Sequence, residues 1–348
     1  MIMVPIHGAT RSPSRPDAPR RAARLGLHLA VAATLVVLVV AALCLGEPRL
    51  GPAAVLDALR DPAHPQHVAV TEARLPRAVL GVLAGLGLAV AGLLMQDALH
   101  NQVAGPELLG VSSGAAVVTA AVVVLALPVP LAALPYLALV GALVAGVLVL
   151  LAIGGSTRDP DQVVLVGAAV SAACAGLVVA IVGLGTEGNV VVLFRYLLGS
   201  LAARGWDHVE VVLPWVVVGV AVAVLLRRRV AALALGDVAA TGLGVPVVRT
   251  RLTALTVAAA LAAAVASVCG PVAYVALLAP HVARRLLGST STARVLGLSG
   301  LVGAVLLVAA DLGSRLVLYP VELPVGVATT LVGVPALVWT LARSRDAR

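Results

Sequence analysis

Apolar residues along this chain fall in runs of about twenty broken by short polar joints, not in the strict alternation of a half-buried strand. A bilayer core of about 30 Å takes roughly 20 residues of helix. Runs that meet or approach that length cover 25–46, 78–96, 108–127, 131–153, 162–185, 209–226, 252–269, 271–287, 295–310 and 323–342. They predict an all-α integral membrane protein with ten transmembrane helices in a domain covering 25–345. The weakest runs are 271–287, which contains Pro280, His281 and Arg284, and 295–310, which is short. Segment 186–206 is intermediate and suits a re-entrant or interfacial helix. Helices buried among helices are apolar all round, so periodicity does not separate their faces.

One polar joint stands out. The run that opens at Arg74-Leu75-Pro76-Arg77 breaks at Met95-Gln96-Asp97-Ala98-Leu99-His100-Asn101-Gln102 and turns at Gly105-Pro106. It re-enters an apolar run through Gly110-Val111-Ser112-Ser113-Gly114. A simple anchor has no need of such a hinge, whereas a chain that moves something across a bilayer has. Gly81 to Gly85 and Gly110 to Gly114 both follow the small-xxx-small spacing that lets helix backbones approach closely, and are expected to pack helices within the chain.

Composition and charge refine this. Of 348 residues, 61% are hydrophobic and only 11% charged, against about 25% charged in soluble domains. All 24 basic residues are Arg. Without Lys the chain cannot form a P-loop, which needs one at the β/γ-phosphates, so an ATP-driven process would require a separate ATPase chain. Residues 1–24, rich in Pro and Arg, are expected to be a disordered basic tail. The run that follows is too long for a signal-peptide h-region and lacks a small-residue cleavage site, so a first transmembrane helix is favoured. With the N-terminus inside, 17 Arg fall on inner segments and seven on outer ones. The positive-inside rule then places both termini in the cytoplasm with an even number of spans, and accounts for the net charge of +8 without nucleic acid. Cys44, Cys174 and Cys269 lie far apart in apolar surroundings and are expected to be buried free thiols. Ala41-Ala42-Leu43-Cys44 only faintly resembles a lipoprotein cleavage site, since Leu43 stands where a small residue is wanted.

Candidate chemistry is sparse. There is no H-E-x-x-H, no G-x-S-x-G and no dinucleotide-binding glycine fingerprint. Asp97, His281 and Asp311 are the few ionisable candidates within spans, and each sits near a predicted span end. Ion-coupled carriers usually keep such groups at mid-membrane, so the pattern favours no ion-driven carrier. No metal site and no cofactor of the chain's own is expected. Segment 232–246, two short helical turns separated by glycines after Arg227-Arg228-Arg229, would project as a compact knob; an ordinary amphipathic loop is the alternative. Arg74, Arg77 and Arg315 lie near span mouths, where guanidinium groups could meet a partner's carboxylates or snorkel toward lipid headgroups. His281, beside a helix-interrupting Pro280, could be a gate or contact residue or a satisfied structural donor.

The ordered set of motifs resembles the FecCD family of ABC-importer permeases for iron–siderophore complexes, haem and cobalamin. The matching pieces are Arg74-Leu75-Pro76-Arg77, Gly92-Leu93-Leu94-Met95-Gln96, Asn101 through Ala115, Leu198-Gly199-Ser200-Leu201 and Leu233-Ala234-Leu235-Gly236. They continue with Gly270-Pro271, Pro280-His281-Val282-Ala283-Arg284, Ala310-Asp311 and Glu322-Leu323-Pro324-Val325-Gly326. Where the family usually has Asn-Pro at the joint, this chain has Asn101-Gln102.

The resemblance implies a ten-helix ABC type II importer permease in the cell membrane, paired with a second permease subunit as a homo- or heterodimer. Two cytoplasmic ATPase subunits would bind ATP and magnesium below it. It implies that Leu235, Gly236, Asp237, Ala239, Gly242, Leu243 and Gly244 seat in an ATPase cleft. Asn101 and Val103 would form the cytoplasmic gate, with Met95 and Gln96 along the pathway. Arg74, Arg77 and Arg315 would receive an extracytoplasmic substrate-binding protein. The expected function is iron–siderophore import by alternating access, with haem or cobalamin import as alternatives and an ion-coupled secondary transporter as the rival of another class.

Overall fold

The computed structural model describes residues 18–153, 160–318 and 321–345, with side chains from 22–153, 162–318 and 321–336. Arg158, Arg348 and the tail up to residue 17 lie outside these.

Among the described residues the fold is all helical. The helices are α1 (Ala18–Cys44), α2 (Pro52–Arg60), α3 (Leu75–Ala98), α4 (Val111–Val124), α5 (Leu134–Ile153), α6 (Pro160–Val182) and α7 (Glu187–Leu197). They continue with α8 (Trp206–Leu233), α9 (Asp237–Gly242), α10 (Val247–Cys269), α11 (Val275–Leu287), α12 (Thr292–Leu316) and α13 (Val325–Arg345). Seven are long and apolar enough to cross a membrane: α1, α3 with the π-turn Ala69–Arg74 before it, α5, α6, α8, α10 and α12. The other three predicted spans are met by two shorter helices, α4 and α11, and by α13.

Two helices extend beyond their apolar runs. Helix α1 begins at Ala18, ahead of the apolar run that starts at residue 25. The apolar run 295–310 is short because it stops before Asp311. Helix α12 nevertheless continues to Leu316, since Asp311 pairs with Arg315 and with Arg77. The intermediate segment 186–206 forms the short α7 and a polar turn. Helix α2, unheralded in the sequence, buries only Val55 and Ala58 in a small cluster with Leu43, Cys44 and Val70. Cys44 and Cys269 are buried, while Cys174 is half-buried; all three are free thiols.

Helix α3 is the hub. It packs against α8, α10, α11 and α12, and most of its residues are buried. The glycine spacing explains how. A Cβ on Gly85 would overlap the carbonyl oxygen of Gly303 on α12, and the reverse also holds, so these helices cross backbone to backbone. Gly114 on α4 meets Gly141 on α5 in the same way. Helices α1 and α6, by contrast, leave most of their apolar surface uncovered, as lipid-facing or partner-facing helices do.

Candidate functional site

At its N-terminal end, α3 enters a charged basin. The π-turn and Pro76 carry Arg74 and Arg77 to a cavity of about 690 Å³ lined also by Glu47, Arg49, Glu72, Arg204, Arg315 and Glu322. The three arginines singled out in the sequence therefore do share one basin. Their guanidinium groups are committed internally, however. Arg74, only 8% exposed, donates to the carbonyls of Leu43 and Pro48, both at 2.7 Å. Arg77 grips Asp311 through Nε (3.1 Å) and Nη2 (2.9 Å), and reaches Glu322 through Nη1 at 3.0 Å. Arg315 lies 3.4 Å from the other Asp311 oxygen, and its Nε has no hydrogen-bond partner among the described residues. Asp311 thus holds α3 to α12, and Glu322 ties the segment before α13 to the same centre.

At its other end α3 unwinds into the joint. Leu99 N–H still donates to Met95, His100 takes a left-handed conformation (φ 50°), and Asn101 N–H donates to Gln96. The Asn101 side-chain oxygen then accepts from Val103 N–H at 3.0 Å. This is an Asx turn, in which Asn supplies the chain reversal itself. Gln102 N–H makes no hydrogen bond among the described residues, so the turn forms without a proline there. Val103 is exposed at the tip, and Asn101 half-exposed.

Met95 and Gln96, expected along a pathway, lie in the interior of this single chain. Met95 is fully buried in the main core. Gln96 is 2% exposed, with its oxygen accepting from Arg284 at 2.6 Å and its nitrogen donating to the Leu277 carbonyl at 3.3 Å. The next residue, Asp97, accepts from Arg284 Nη2 at 2.7 Å and from the Thr292 hydroxyl. Gln96 and Asp97 thus fasten α3 to α11 and α12, and both are buried in this single chain.

The 232–246 segment projects beside this end, as α9 flanked by Gly236 (φ 102°) and Gly244 (φ 75°). Positive φ is strained for other residues, so the two glycines set where the knob bends. Leu235, Val238 and Leu243 are 69%, 89% and 65% exposed, and Ala239 and Gly242 are exposed with them. An apolar tip this bare suits a partner surface. Its root is pinned by Arg251 on α10, which is completely buried. Arg251 donates from Nε to the Ala98 carbonyl at 2.8 Å and from Nη2 to Asp237 at 2.6 Å. One guanidinium therefore joins the last turn of α3 to the first residue of α9. His100 adds a second tie, to the Leu233 carbonyl.

Sequence reasoning missed Arg251 as a site residue. It had been counted only as one more charge on the inner side. Its spacing of 14 residues from Asp237, across a glycine-bounded turn, was the available signal. Glu322, Thr292 and His100 were likewise without an assigned role. Among the described residues there is no His/Cys/Asp/Glu group that could hold a metal ion.

Comparison with known proteins gives a concordant picture. The family model described as "FecCD transport family" matches residues 34–343. The chain is 38% identical over 282 residues to the Fe(3+) dicitrate transport system permease protein FecD of Escherichia coli, covering 81% of this chain and 87% of that one. It is 35% identical over 281 residues to the cobalamin import system permease protein BtuC of Halobacterium salinarum, covering 81% of this chain and 75% of the other. In structure it resembles a metal-chelate type ABC transporter in an inward-facing conformation, with a TM-score of 0.78, 23% identity, and coverage of 91% and 99%.

Proposed function

The chain belongs to the FecCD transport family, and from that premise we propose that it imports an iron chelate of the citrate or siderophore kind. It is a multi-pass permease subunit of an ABC importer and is not itself an enzyme. The observation that carries the transport reading is the span of α3: one helix holds Arg77 in the charged basin at one end and the Asn101 turn at the other. A movement at either face is felt at both.

In this reading the Arg77 basin faces outward and the Asn101 end, with both termini, faces the cytoplasm, the orientation that the arginine distribution supports. A substrate-binding protein docks over Arg74, Arg77 and Arg315. Because Arg77 is already paired with Glu322, an incoming carboxylate would exchange with Glu322, 43% exposed at its side chain, more readily than with buried Asp311. A second permease subunit completes the pathway, with Asn101 and Val103 at its inner gate. ATPase subunits, which alone bind ATP and magnesium, grip the α9 knob. Alternation of the two gates moves the chelate inward.

Two experiments test this. Cells lacking the chain should lose uptake of radio-labelled ferric citrate or another ferric chelate, and regain it on complementation. If only cobalamin or haem uptake is lost, the iron-chelate assignment fails. For the knob, Leu235→Glu with Leu243→Glu places two charges on the apolar tip. Insertion should be normal and co-purification of the ATPase should fall about tenfold or more, since burying an unpaired charge costs several kcal/mol. Full retention of the ATPase would remove the knob from the coupling role.

A further inference from the structure

We propose that a groove between α1, α3, α8 and α12 is a binding site for one anionic phospholipid. The groove has a volume of about 310 Å³. Its deep wall is apolar, made by Leu86 and Val90 of α3, Val220 and Val224 of α8, and Leu296 of α12. Gly300 forms its floor; a side chain there would touch Leu86 and Val90, so the absence of one keeps the groove open. At one end, and only there, it is basic. Arg227 and Arg294 line it, and among the described residues neither makes an ion pair or a side-chain hydrogen bond. His28 of α1 closes that end, its Nδ1 donating to the Arg24 carbonyl at 2.7 Å.

The positions along each helix agree in depth. Arg227 stands near the C-terminal end of α8, with Val224 and Val220 one and two turns deeper. Arg294 stands in the first turn of α12, with Gly300 nearly two turns deeper. Both helix ends lie on the side of the Asn101 joint, which is the cytoplasmic side in the orientation proposed above. Two unpaired arginines at headgroup level above an apolar trough about two helical turns deep match a phosphate-bearing lipid and the upper part of its acyl chains. Basic clefts between transmembrane helices on the cytoplasmic side bind anionic headgroups. The first turn of α12 adds the partial positive charge of a helix N-terminus. A neutral acyl chain would fill the trough but leave both guanidinium groups unanswered, and a free phosphate would leave the trough empty. A lipid satisfies both ends.

The test uses the transporter purified in mild detergent with dioleoyl-phosphatidylglycerol or dioleoyl-phosphatidylcholine added, and native mass spectrometry to count retained lipid. Wild type should hold one phosphatidylglycerol per copy of this chain in preference to phosphatidylcholine. Arg227→Gln with Arg294→Gln should reduce that occupancy about tenfold, the effect of losing two charge-assisted contacts. Arg228→Gln with Arg249→Gln, an equal loss of charge outside the groove, should change it little. Gly300→Leu, which fills the trough and leaves the arginines in place, should also displace the lipid. Thermal unfolding in each lipid checks that the variants fold, and should show stabilisation by phosphatidylglycerol in wild type and the Arg228/Arg249 control, but not in the two groove variants. Equal retention by wild type and the Arg227/Arg294 variant, or equal loss in the control pair, would mean an annular lipid only and would overturn the proposal. Loss on removing the arginines with none in Gly300→Leu would point to a free-anion site and overturn it equally.

Discussion

Replacing Arg251 with Met should uncouple transport from ATP hydrolysis while leaving the protein inserted in the membrane. Arg251 is the only fully buried charge in the described residues, and its two named partners lie on different elements, α3 and α9. Nε holds the C-terminal carbonyl of α3 and Nη2 holds Asp237 at the root of the knob. Methionine fills a similar volume but offers no donor. The Ala98 carbonyl then lacks that donor and Asp237 turns to water, which its partial exposure permits. The cost to stability is that of unsatisfied groups, about 1–3 kcal/mol, too little to unfold a helical bundle of this size. The cost to function is larger. In the proposed coupling, a displacement of the knob is passed to the Asn101 turn through this guanidinium and the His100 tie, and coupling free energies of about 1–3 kcal/mol correspond to about 5–150-fold. Uptake by the assembled transporter should therefore fall by about tenfold or more while ATP hydrolysis continues. Substrate moved per ATP is the quantity to measure, because a merely structural role would lower both together. Asp237→Asn, which keeps an acceptor for Nη2, should lose less. Wild-type uptake per ATP in Arg251→Met would show that the two ends move independently.

The sequence carried the helical framework well, for a physical reason. In a bilayer a run of apolar residues of sufficient length has few alternatives to a spanning helix, because unpaired backbone groups are too costly there. The glycine spacing at Gly81 and Gly85 was readable for the same reason: close approach leaves a compositional mark, and Gly85 indeed meets Gly303. What stayed hidden was the destination of polar side chains. Met95 and Gln96 share a stretch with Asn101 and Val103, yet the first two stand in the last turn of α3 and enter the core, while the other two lie past the helix end on the turn. Asp311 looked like the end of a span because one carboxylate in lipid is costly. Its partner, Arg77, lies 234 residues away, and no local pattern reveals such a pairing. Helix α2 escaped because a nine-residue helix that buries two side chains has almost no periodic signal.

Asp311→Leu should be the most destabilising single change at the charged basin. Asp311 is 4% exposed and answers two guanidinium groups that are themselves nearly buried, at 12% and 10% side-chain exposure. Removing it leaves Arg77 with Glu322, but leaves Arg315 with no carboxylate and an Nε that already lacks a partner. Breaking a buried ion pair by deleting one member costs about 3–5 kcal/mol. Membrane-inserted yield and thermal stability in detergent should both drop sharply. The decisive comparison is the double variant Asp311→Leu with Arg315→Leu. It removes the stranded charge along with its partner and lets α12 bury apolar surface against α3, so much of the lost stability should return. That background then separates structure from docking. If Arg315 serves only as the counter-ion of Asp311, the refolded double variant will bind the substrate-binding protein as wild type does. If the arginine basin receives that protein, the double variant will be stable and fail to dock. A double variant no more stable than Asp311→Leu alone would refute the assignment of Asp311 as the electrostatic centre joining α3 to α12.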